Sequence, residues 1–346
     1  RLYPLTANRP KPLVQVLGKP VIDYVSDALL DAGIAEVILT TGYQGEGLIS
    51  LVEDWNNNKS GKFSVSNEDR PMGTAGSVKL LQDKLTETFI VASGDAILSS
   101  NLKNLISAHK LSNAKMTMAL WEVDDPTQFG IVGLSSRVGG QINPNLSEGY
   151  ITKFLEKPSL EDAFSKVINA GLYIIEPEVL EHIPFDKKYD FSKELFPKLL
   201  ELGWPLYAMK LDGLWFDVGT PNELIRAQNE LIAKRMDLPF TIPAGQVTLE
   251  GGYIFDTAKT QSKITETVIC HQSVVGKDCN IENSLIMNNS VIGDNTIIKN
   301  SVIGNNVKIA ANCVLTGCVV GDNITIESGR NLTEQKIDSQ LLDSIE

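Results

Sequence analysis

Between residues 264 and 326 the apolar residues recur with a period of 17. Val275, Ile292, Ile309 and Ile326 form one series; Ile264, Ile281, Ile298 and Leu315 form a second; Ile269, Ile286, Ile303 and Val320 form a third. Successive rungs lie five or six residues apart. That spacing suits a triangular coil of three short strands, each turning one aliphatic side chain inward. The tripeptides GKD, GDN, GNN and GDN follow many of the rungs, and Gly, Asn and Asp tolerate the left-handed backbone of tight corners. The repeat predicts a parallel β-helix over residues 258–330, with 331–346 as a tail. Cys279, Thr296 and Cys313 share one repeat position, and Ser284, Ser301 and Cys318 share another. The four cysteines show no C-x-x-C spacing, so they read as small filler inside the coil rather than as a metal site or disulfide framework.

The preceding residues follow another rule. Short apolar runs (EVILTTG, TFIVASGD, MTMALWEV, AGLYII) alternate with amphipathic stretches (VIDYVSDALLDAG, DFSKELFPKLLELG) over residues 1–238. This alternation predicts an α/β domain with a Rossmann-like mixed, mostly parallel sheet, where ligands sit at strand ends. A helix started at Thr220-Pro221 and stopped before Pro239 closes it, and residues 239–257 read as a linker. The 31 basic and 43 acidic residues leave a net charge of −12, which opposes attraction to nucleic acid or an anionic membrane. No apolar run approaches the roughly 20 residues of a membrane span, and no signal peptide precedes Arg1, so the cytoplasm is expected.

An anionic small ligand would need its own local cations or a divalent metal, which draws attention to the opening stretch RLYPLTANRPKPL. This stretch, with the later blocks PMGTAGSV, SGD, FGIV, FLEKP, NAGLY, YDFSKELFPKLLE and WFDVGTP in that order, resembles the sugar-1-phosphate nucleotidylyltransferase family. The family opens on G-G-x-G-T-R-L-x-P-L-T followed by a K-P pair, so its first strand and glycine-rich loop are expected to precede Arg1. The coil resembles the hexapeptide-repeat, left-handed β-helix proteins, among them acyltransferases and the tails of nucleotidyltransferases. The resemblance covers the whole chain and implies transfer of a nucleotidyl group from a nucleoside triphosphate to a sugar 1-phosphate.

Such a reaction brings two polyanions together, so it depends on charge neutralisation and in-line positioning. Arg1 and Lys11 are expected on the β- and γ-phosphates, and Lys157 on the sugar phosphate. Taken one at a time, each reads more readily as a solvated surface charge; taken jointly, in these contexts, they read as phosphate-binding cations. Asp95 after TFIVASG and Asp217 after LWF stand at expected strand ends, and one or two carboxylates with phosphate and water suit Mg²⁺. No general base is required, since a phosphate oxygen is already ionised at neutral pH.

Gly73, Thr74, Ala75 and Gly76 are expected beside the nucleotide base, where glycines allow close backbone approach. Glu68 stands where thymidylyl and uridylyl relatives commonly carry glutamine. A carboxylate only accepts hydrogen bonds and so matches the two adjacent donors of guanine, which favours GTP. The family likeness places the hexose against Gly130, Glu156 and Asn169, with mannose 1-phosphate the expected substrate. A glucose-1-phosphate enzyme using UTP, dTTP or ATP stays open, as does a noncatalytic regulatory subunit, and an acyltransferase activity of the coil ranks lower. A homo-oligomer is expected, because open coil ends invite pairing. His109, His182 and His271 do not cluster in the sequence and receive no role.

Overall fold

The structure is a computed structural model and describes residues 2–42 and 45–339. Two compact units divide the chain. One holds Val25–Gly94 and Leu98–Trp215; the other holds the residues before Val25, the insert Asp95–Ile97 and the chain from Phe216 onward.

The first unit is a Rossmann-like α/β layer. Its six-stranded sheet runs, in spatial order, Phe89–Ala92, Val167–Ile175, Met116–Glu122, Leu206–Lys210, Glu148–Glu156 and Gly130–Ser135. Met116, Met118, Ala119 and Leu120 are wholly buried, as expected of a central strand covered on both faces. Phe191, Leu195, Phe196 and Leu199 from the helical stretch Phe191–Glu201 pack on the same core. The sheet is mixed, but the balance differs from the mostly parallel expectation. Met116–Glu122 and Leu206–Lys210 run parallel, and the other pairings in this sheet are antiparallel. Gly130–Ser135 and Glu148–Glu156 are joined without the helical crossover that a parallel pair requires. That crossover does occur where the helix Glu46–Asn58 links the parallel strands Glu36–Thr41 and Lys62–Asn67.

The second unit is dominated by the parallel β-helix. The three apolar series stack rung on rung in register, as in Val275↔Ile292↔Ile309↔Ile326. Ile269, Ile281, Ile286, Ile298, Ile303 and Leu315 are 0 % exposed. Corner residues Asn289, Asn306 and Asn323 have φ near +60°, which accounts for the repeated asparagine. The coil is longer than expected at both ends. Gly245–Val247 and Tyr253–Phe255 join one of its sheets from the expected linker, and Asn331–Thr333 and Lys336–Ile337 extend two sheets into the expected tail. Leu332 and Ile337 stand 17 residues beyond Leu315 and Val320 and bury the same way, so the repeat itself continues. The helix Pro221–Ala233 belongs to this unit; the Thr220 hydroxyl accepts from Glu223 N at 3.2 Å and caps it. Among the described residues no helix is long and apolar enough to cross a membrane.

The cysteines are free and buried. The column that holds Cys318 is hydrogen-bonded from coil to coil: Ser284 N donates to Thr267 Oγ1, Ser301 N to Ser284 Oγ and Cys318 N to Ser301 Oγ, at 3.0 to 3.1 Å. A small side chain with an acceptor is what each position requires. Burial pushes the Cys270 thiol up to about 12.

Candidate active site

Lys11 opens the tight turn Lys11–Leu13, where prolines at 10 and 12 preset the backbone and Val14 N closes on Lys11 O at 3.0 Å. Its ammonium donates to Asp95 Oδ2 and to Asp217 Oδ1, both at 2.8 Å. Asp95 leads directly into the strand Ala96–Leu98, Asp217 ends the strand Trp215–Asp217, and these strands pair. The two acids therefore come from neighbouring strand ends, and one cation holds both. The three side chains are 30, 35 and 38 % exposed, open enough to meet a ligand. Burial pulls the Lys11 pKa down, but the Asp95 charge, hydrogen bonds to both carboxylates and the Asp217 charge outweigh it and raise it above its ordinary value.

Among the described residues no group of three or more His, Cys, Asp or Glu forms a metal cage. Two carboxylates converging on one cationic centre nevertheless fit a hard divalent ion whose other ligands are phosphate oxygens and water. Arg1 lies outside the described residues. Lys11, expected on the phosphates, here has its ammonium on the carboxylates.

In the α/β unit, Glu156 ends the strand Glu148–Glu156 and Lys157 follows with φ of 48°, its N–H on Phe129 O at 2.9 Å. Burial raises the Glu156 pKa; the Lys157 charge opposes this, the Asp190 charge adds to it, and Ser192 and Lys193 lower it. Gly130 pairs with Glu156 in register, and a Cβ there would lie 2.7 Å from Glu156 Oε2. Only glycine leaves that carboxylate its place. Asn169 donates to Tyr173 Oη at 2.8 Å and accepts from Gly171 N at 2.9 Å, beside a register shift in its strand. Gly130, Glu156 and Asn169 thus gather with groups the sequence did not single out: Tyr173, Asp190 and Ser192. The blocks NAGLY and YDFSKELFPKLLE contained them, without a spacing that distinguished them from core.

The segment around PMGTAG is held by contacts within the α/β unit. Glu68 Oε2 accepts from Met72 N at 3.1 Å and orders the approach to the helix Gly73–Lys79. A Cβ on Gly73 would lie 2.6 Å from Tyr189 O, and one on Gly76 would lie 2.8 Å from Lys187 O. The glycines therefore make room for the chain at 187–189. Ala75 is 0 % exposed and packs in the core. Thr74 is exposed, donating to Asp190 Oδ2 at 3.0 Å and accepting from Phe191 N at 3.0 Å.

Residues 1–234 match the sequence profile of the family described as Nucleotidyl transferase, and residues 253–340 match the GMPPB C-terminal domain. Mannose-1-phosphate guanylyltransferase 1 of Arabidopsis thaliana is 36 % identical over 229 residues, which cover 65 % of this chain and 60 % of the relative. The mannose-1-phosphate guanyltransferase of Saccharomyces cerevisiae is 35 % identical over 228 residues, covering 65 % and 60 %. The matched region thus spans about three fifths of the length of these relatives. Among solved structures, UDP-glucose pyrophosphorylase complexed with UDP-glucose superposes with a TM-score of 0.57 at 21 % identity, covering 68 % of this chain and 95 % of that one. A putative glucose-1-phosphate thymidylyltransferase from Bacillus anthracis gives 0.58 at 23 %, covering 69 % and 92 %; both likenesses concern the fold alone. With a profile match over its first two thirds, this chain belongs to the nucleotidyl transferase family.

Proposed function

We propose that the protein joins GTP and mannose 1-phosphate to give GDP-mannose and pyrophosphate. The observation that carries this reading is the Lys11 ammonium, held 2.8 Å from both Asp95 and Asp217 at neighbouring strand ends in a member of the nucleotidyl transferase family. The names of its relatives supply the choice of substrates.

An oxygen of mannose 1-phosphate attacks the α-phosphorus of GTP. The bond from that phosphorus to the bridging oxygen breaks, and the electron pair leaves on pyrophosphate. No proton need move. Family members generally use a divalent metal, which we take to be Mg²⁺; Asp95 and Asp217 would hold it, and it would supply charge compensation at the phosphates. Lys11 and Arg1 serve the departing phosphates, and Lys157 serves the sugar phosphate. Glu156 and Asn169 orient hexose hydroxyls beside Gly130. Glu68 spends one contact on Met72 N, and its remaining acceptor positions match the guanine donors. The backbone at Gly73, Thr74 and Ala75 lies next to that base.

Pyrophosphate release from GTP, UTP, dTTP and ATP, each against mannose and glucose 1-phosphate, tests the reading in the natural full-length protein. GTP with mannose 1-phosphate is expected to lead. Asp95→Asn and Asp217→Asn should each lower turnover at least ~100-fold, the scale of a lost electrostatic group in a catalytic centre. Near-normal turnover in either variant would remove the metal assignment.

A further inference from the structure

One corner of the β-helix carries His271, Asn288, Asn305 and Asp322, spaced 17 residues apart. Along it runs the segment that bears Lys11. A Cβ on Gly18 would lie 3.4 Å from the His271 ring, Gln15 Oε1 accepts from Asn288 Nδ2 at 2.9 Å, and Arg9 pairs with Asp322. Pro4 packs against Gly321, and Tyr3 donates to Asp338 one coil further. The order along the segment is the reverse of the order along the coil, so residues 3–18 are laid down on successive coils. Neighbouring rungs are spaced by about 4.8 Å, which makes the corner a regular set of anchor points.

Asp322 has two jobs, one for each oxygen. Oδ1 accepts from Asn305 N at 2.9 Å and closes the coil corner, while Oδ2 receives the Arg9 guanidinium. Arg9 also donates through Nε to Leu5 O at 3.0 Å, so the guanidinium ties the turn after Leu5 to the coil. The pair is only 17 and 22 % exposed, where screening by solvent is reduced. Lys11 lies two residues from Arg9, and its ammonium must reach two carboxylates at once. A segment released at Arg9 would lose that aim.

We propose that Asp322 is a positioning residue for the nucleotide triphosphate, acting through Arg9 to fix the turn that presents Lys11. The kinetic part of this inference rests on the function proposed above; the anchoring itself does not. Asp322→Asn keeps an oxygen for Asn305 N but turns an amide donor toward the guanidinium, so it separates the anchor from the coil corner. In the full-length protein, amide hydrogen exchange over residues 3–18 should quicken at least ~10-fold in Asp322→Asn, with the rungs at Ile292 and Ile309 unchanged. With MgGTP and mannose 1-phosphate, KM for GTP should rise about tenfold while KM for the sugar phosphate stays within about twofold. Arg9→Gln, which removes the guanidinium and leaves Asp322 Oδ1 on Asn305 N, should reproduce both effects. Unchanged exchange over residues 3–18 overturns the anchor, whatever the activity. Faster exchange with unchanged KM for GTP, or equal rises in both KM values, overturns the positioning role. Should wild-type protein release no pyrophosphate from any pair of substrates, the function fails, and with it the positioning role, while the exchange result alone decides the anchor.

Discussion

Glu156 is a carboxylate held against its own charge. Burial raises its pKa and Asp190 adds to the rise; Lys157, Ser192 and Lys193 oppose it without cancelling it. A folded-state value above the unfolded one favours the protonated form. The stability it contributes is therefore complete below the unfolded carboxylate range and is lost as pH rises through the folded value. Glu156→Gln stays neutral throughout and should melt about 1–3 °C above wild type at pH 7, with no gain at pH 4. Equal shifts at both pH values would contradict that account. The same variant should raise KM for the hexose phosphate and leave KM for GTP unchanged. Gly73 shows the limit of reading residues alone. Its φ of +76° and the 2.6 Å approach of any Cβ to Tyr189 O make Gly73→Ala destabilising by about 1 kcal/mol or more, measurable by denaturant titration. The glycine pattern was legible in the sequence, but its reason lies 116 residues away.

The elements of the β-helix were the most legible part of the chain, because each rung repeats a local instruction. Apolar residues point inward, asparagine or glycine turns the corner, and a small acceptor fills the column between. The column makes a sharp prediction. Ser301 Oγ accepts from Cys318 N at 3.0 Å inside the coil, so Ser301→Ala leaves a buried N–H unpaired at a cost of about 1–3 kcal/mol. Cys318→Ser, which keeps size and polarity, should cost less than about 1 kcal/mol. Equilibrium unfolding of the two variants distinguishes a hydrogen-bonded ladder from simple packing, for which Ser301→Ala would be nearly neutral. In the α/β unit, strand positions were legible but their orientations were less so, since a strand's own pattern does not state which neighbour it will take.

For the whole molecule, charge and metal belong together. A chain with net charge −12 would bind the proposed polyanionic substrates only with added positive charge, which a divalent ion at Asp95 and Asp217 would supply beside Lys11. Under the function proposed above, the metal would be held by Asp95 and Asp217 together with the substrate phosphates and would serve the reaction rather than the fold. Removing divalent ions with a chelator should abolish pyrophosphate release, shift the melting temperature by less than about 2 °C in the absence of nucleotide, and be reversed by Mg²⁺. A large loss of stability on chelation would instead make the metal structural.

The amino-acid sequence by itself determined the coil and its period, the α/β alternation before it, and the residue types that the chemistry calls on, because these are written in spacings of a few residues or a fixed repeat. The tertiary structure decided which of those residues meet. Lys11 joins Asp95 across 84 positions and Asp217 across 206, and Arg9 joins Asp322 across 313. Such meetings depend on which strands pair and on which coil a distant segment lies, and no local period records that choice.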